Sequence, residues 1–96
     1  MEFSTKSAQI VVGTSASVTL PEPAAYVSSV AYMTEGTASF STLTVTSAAP
    51  AGASDIQFTG TPAATSDALT LDSAPATAGG MLLVEYVPAG AMAANL

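Results

Sequence analysis

The stretch "GGMLLVEYVPAG", Gly79 to Gly90, is the most apolar part of the chain that still reads as one strand. Alternate side chains of a strand face opposite ways, so Leu82, Val84 and Tyr86 share one face and Leu83, Glu85 and Val87 the other. Burying an unpaired carboxylate is far more costly than leaving an aliphatic side chain wet. The phase that keeps Glu85 outside is therefore the stable one, with Leu82, Val84 and Tyr86 in the core. That phase leaves Leu83 and Val87 on an outer face needing cover, either from the same chain or from a partner, since exposed apolar patches on small domains mark interaction sites.

Six further runs rich in Val, Ile, Thr, Tyr and Phe precede this one: Ala8–Val12, Ser17–Leu20, Ala25–Met33, Ser39–Ser47, Asp55–Gly60 and Ala68–Asp72. "PEP" (Pro21–Pro23), "TEGT" (Thr34–Thr37), "APAGAS" (Ala49–Ser54), "GTPAATSD" (Gly60–Asp67) and "SAPATAGG" (Ser73–Gly80) separate them with turn chemistry. Leu43 and Val45 alternate with Thr42, Thr44 and Thr46; Ile56 and Phe58 with Asp55, Gln57 and Thr59; Leu69 and Leu71 with Thr70 and Asp72. Such short, evenly spaced, half-buried runs predict an all-β domain, an antiparallel β-sandwich of Ig-like type or a small barrel, with about seven short strands. A single helical turn is expected near "PAATSDA", and Tyr26, Val30 and Tyr32 are expected to share the core face of their run.

At 96 residues the chain is one domain, 1–96, with 1–7 as an N-terminal arm and 89–96 as a C-terminal tail. Ala supplies much of the 49% hydrophobic content, so the core is thin. Charged residues make up only 8%, against roughly 25% in an average soluble domain. Ser and Thr replace them, and a hydroxyl is much less costly to bury against a partner than an ion. This composition fits a protein that works packed in an assembly. The net charge of -6, with Lys6 the single cation, argues against nucleic acid and against anionic membrane surfaces as partners. The N-terminus lacks the basic region and apolar run of a secretory signal.

Chemistry has little to work with. The chain holds no His, Cys, Arg or Trp, which removes the Ser/His and Cys/His nucleophile pairs, imidazole metal sites and disulfides. The carboxylates Asp55, Asp67 and Asp72 lack the dense spacing of a calcium loop, and Gly79-Gly80 is not followed by the helix and lysine of a phosphate cradle. No enzymatic activity, catalytic residue, metal or cofactor is expected. Tyr26, Tyr32 and Tyr86 could serve as a sugar-stacking platform, although a tyrosine in a short strand more often packs its ring in the core.

The segment "SFSTLTVTSAAPAGASDIQFTGTPAATSDALTLDSAPATAGGMLLVEYVPAG", Ser39 to Gly90, resembles small structural proteins of tailed bacteriophages, in which "AAPAG", an "IQFTGTP" strand, an "LTL" strand and "AGGMLLVEYVPAG" follow in that order. The resemblance implies a virion component assembled in the host cytoplasm: a capsid decoration (cement) protein that binds the major capsid protein as a homo-oligomer, a trimer at a capsid symmetry point. Phe3, Leu83, Val87, Met92 and Leu96 are the expected contact residues. The alternatives are a head-tail connector, tail or fibre component, and a carbohydrate-binding or adhesin-like module.

Overall fold

The computed structural model describes residues 5–60 and 65–90. The fold is all-β, with six strands: β1 (Lys6–Val11), β2 (Ser17–Met33), β3 (Ser41–Thr46), β4 (Asp55–Phe58), β5 (Ser66–Leu71) and β6 (Met81–Pro88). They form one sheet in the order β1-β6-β2-β3-β4-β5, and β5 returns to pair with β2. Strands β2 to β5 thus close into a small barrel, with β6 and β1 added outside it.

The strand count is six rather than about seven because Ser17–Leu20 and Ala25–Met33 are one 17-residue strand. "PEP" does not turn the chain. β2 pairs with β5 through Ser17, Val18, Thr19 and Ala24, and with β6 from Ala24 onward, so Pro21 and Pro23 fall where the β5 ladder is interrupted. Proline has no N–H to donate, and an interrupted ladder is a place where a strand can hold it.

Two extra residues in β2 change which side chains face inward. Against β6, Ala24 pairs with Pro88 but Tyr26 with Val87, and Val27 pairs with Tyr86 but Ser29 with Glu85. Ala25 and Ser28 are therefore bulged, and each bulge shifts the alternation by one residue. Val27 and Val30 are both buried as a result. Tyr26 points outward and is 58% exposed, contrary to the expectation that it shares the core face with Val30 and Tyr32.

The other departure from the expected pattern is β3–β4, which pair in parallel as Thr44↔Asp55, Val45↔Ile56 and Thr46↔Gln57. The connecting loop is tied down at its end: Thr44 N donates to Ser54 O at 2.7 Å, Asp55 N to Gly52 O at 2.9 Å, and Ala51 N to Asp55 Oδ2 at 3.2 Å. The helical turn expected near "PAATSDA" is replaced by strand from Ser66; residues 61–64 lie outside the described residues. Between β2 and β3 the turn Thr34–Thr37 closes with Thr37 N donating to Thr34 O, and Gly36 supplies the positive φ of 86° that its third position requires.

The core lies where the sequence placed it in β3 to β6. Leu43, Ile56, Phe58, Leu69, Leu71, Leu82, Val84 and Tyr86 are buried in one cluster with Val18, Leu20, Val27 and Val30 of β2. Ala8 and Val12 join it from β1 and its end, and Ile10 packs at its margin. No buried polar or charged residue occurs among the described residues.

Candidate interaction surface

The register of β1, β6 and β2 determines which side chains stand together on the outer face, because directly paired residues point to the same side of a sheet. Val11 pairs with Met81, and Met81 with Met33. Gln9 pairs with Leu83, Leu83 with Ala31, and Ala31 with Thr42 of β3. Ser7 pairs with Glu85, and Glu85 with Ser29. The outer face therefore carries an apolar row, a mixed row and a polar row in succession. Val11 is 69% exposed, while Met33, Met81, Leu83 and Ala31 are half-buried. The two methionines give this patch side chains that adapt to the shape of whatever covers it.

Leu83, anticipated from sequence as a contact residue, sits at the centre of this face. Val87 does not contribute: it is buried, and its pairing partner is Tyr26. Phe3, Met92 and Leu96 lie outside the described residues. Val11, Met33 and Met81 were missed because their proximity depends on strand register between segments far apart in sequence. One local signal was legible, since Val11 is out of phase with Ile10 in a strand whose other face is the core.

A groove of about 490 Å³ opens beside Tyr26. It lies where β2 has finished pairing with β5, at Ala24, and has yet to pair with β3, at Val30. Ser28, Ser29, Thr42, Thr46 and Ser47 line it with hydroxyls, and Phe58 contributes an aromatic wall.

The lone cation is engaged in a structural cluster. Lys6 Nζ lies 3.1 Å from Glu22 Oε2, and Tyr86 Oη donates to the same oxygen at 2.9 Å. The Tyr86 hydrogen bond, then that of Lys6, holds the Glu22 carboxyl below its usual value despite some desolvation. Burial, reinforced by the adjacent carboxylate, pushes the Tyr86 phenol above its usual value. The cluster ties the start of β1 to β2 and satisfies the polar end of a core tyrosine.

The remaining acids are dispersed. Asp67 and Asp72 are exposed at opposite ends of β5, and Asp55 binds the backbone of its own loop. A strand rises about 3.3 Å per residue, which sets Asp67 and Asp72 too far apart to share a cation. No group of three acidic or other metal-ligating side chains occurs among the described residues. Comparison with known proteins finds no match among family models, curated proteins or solved structures.

Proposed function

We propose that the protein is a non-enzymatic structural component of a tailed-phage virion, a decoration (cement) protein that docks on the major capsid protein as a homo-oligomer. The observation that carries the reading is the outer face of β1-β6-β2, where Val11, Met81, Met33, Leu83 and Ala31 form a continuous apolar patch. Burial of that patch against a shell gives adhesion without a chemically special residue. The hydroxyl-rich, charge-poor surface supports it further, because few ions need be stripped of water on docking. The resemblance of Ser39–Gly90 to phage structural proteins supplies the identity of the shell and rests on residue pattern alone.

The test is co-sedimentation of the purified protein with capsids prepared without it. Decoration predicts saturation at a copy number comparable to the capsid protein and loss of binding in Leu83→Asp, with folding of the variant verified by circular dichroism at the assay temperature. Binding in a few copies at one vertex would move the protein to the neck or tail, and no binding would reject a virion role.

A second reading has one specific observation in its favour. Tyr26 stands exposed beside a groove walled by neutral hydroxyls, an arrangement that suits stacking and hydrogen bonding to a sugar. A glycan array separates the two: sugar binding abolished by Tyr26→Ala, with the fold intact, would favour a carbohydrate-binding module.

A further inference from the structure

We infer that two copies of this chain pair through β1, antiparallel about a two-fold axis at Gln9, joining their sheets into one. The inference is independent of the virion reading.

It begins with the direction of the backbone groups. Val12 N donates to Gly80 O at 2.8 Å, which continues the register in which Val11 faces Met81 and Ala8 faces Val84. In an antiparallel ladder, residues whose N–H and C=O point at the partner alternate with residues whose groups point away. Val12 points at β6, so Ile10, Ala8 and Lys6 do as well. Ser7, Gln9 and Val11 point their N–H and C=O the other way. Among the described residues β1 pairs with β6 alone, so those groups form an open edge.

Proteins block such edges with charge, proline, bulges or very short strands. Ser7 to Val11 has none of these: its register with β6 is unbroken, and it holds neither proline nor charge. Lys6, the one charge on the strand, is drawn to Glu22 on the core-facing side.

A second copy fits this edge in a register fixed by geometry. Pairing Gln9 with the other copy's Gln9, and Ser7 with its Val11, directs every outward group of the three residues at a partner, and two-fold symmetry turns these into six N–H···O bonds. The same register sets Ala8 opposite Ile10 on the core-facing side, small against large, and covers the margin of the core where Ile10 packs. It also keeps both outer faces on one side of the joined sheet. The exposed Val11 of each copy then lies beside Ser7 and extends the patch across the seam. Charge does not oppose it: Glu85, the acid of the row nearest the edge, is offset from its mate by four residues along the strands, more than a Debye length at physiological salt.

Sedimentation equilibrium of the full chain, together with single-cysteine cross-linking, tests this. The native sequence contains no cysteine, so each introduced thiol reports alone. Facing residues in such a pair have Cα atoms about 5.5 Å apart, within disulfide reach. With diamide as oxidant, Gln9→Cys should become a covalent dimer, whereas Ser7→Cys and Val11→Cys should each stay uncrosslinked until mixed with one another. Gln9→Pro removes an outward N–H only and should yield folded monomer; Val11→Lys should do the same by placing charge at the edge. A chain that is monomeric at millimolar concentration, a trimer, or a dimer in which Gln9→Cys does not cross-link would overturn the inference.

Discussion

Replacing Leu82 and Leu83 separately by alanine tests the strand phase on which the fold rests. Leu82 is 0% exposed within the core cluster, paired across the sheet with Ile10 of β1 and Tyr32 of β2. Leu82→Ala removes about three methylene equivalents at ~0.8 kcal/mol each, roughly 2.4 kcal/mol of transfer free energy. The void left at a fully buried position adds a further term of about 1–2 kcal/mol, for a total of about 3.5–4.5 kcal/mol. For a domain of this size that corresponds to a fall in Tm of roughly 14–36 °C, at about 4–8 °C per kcal/mol. Leu83→Ala, one residue on, uncovers only a half-buried side chain with no enclosed void, and should cost about 1 kcal/mol or less. Urea denaturation of both variants, with m-values checked for equality, gives the comparison directly. Equal losses, or a larger loss for Leu83→Ala, would refute the assignment of Leu82, Val84 and Tyr86 to the core.

Three further outcomes follow from particular residues. Tyr26→Ala should change stability by less than about 0.5 kcal/mol in thermal melts, because the bulge at Ser28 turns the ring to solvent; a buried aromatic would cost about 3–5 kcal/mol. The Glu22–Tyr86 pair predicts opposite pH limbs. Glu22, lowered in the fold, contributes stability that is complete above the ordinary carboxylate range and is lost as pH falls through its lowered value; Tyr86, raised, contributes stability that is complete below the ordinary phenol range and is lost as pH climbs through its raised value. Glu22→Gln should flatten the acid limb of stability against pH, and Tyr86→Phe the alkaline one. Gly79→Ala should cost about 1–3 kcal/mol, since Gly79 adopts a φ of 106° and an added Cβ meets the Glu35 carboxylate; Glu35→Ala should fail to restore the loss, because the strain resides in the backbone.

The sequence by itself determined every element in which a strand runs without interruption against a single core. In β3, β4 and β5 the period of two sorts apolar from polar side chains, and in β6 the unfavourable burial of Glu85 settles the phase from Leu82 to Tyr86. Leu83 was legible as an outward residue for the same reason. Only the tertiary structure decided the rest. β2 continues through Pro21 and Pro23 because its partners change there, and Ala25 and Ser28 bulge because β2 and β6 do not match residue for residue. Tyr26 consequently lies outside and beside a groove. The parallel pairing of β3 with β4 and the row Val11–Met81–Met33 depend likewise on register between distant segments. Side-chain direction is a local property with a short period, whereas which strands are neighbours, and in what alignment, follows from closing the whole sheet at once.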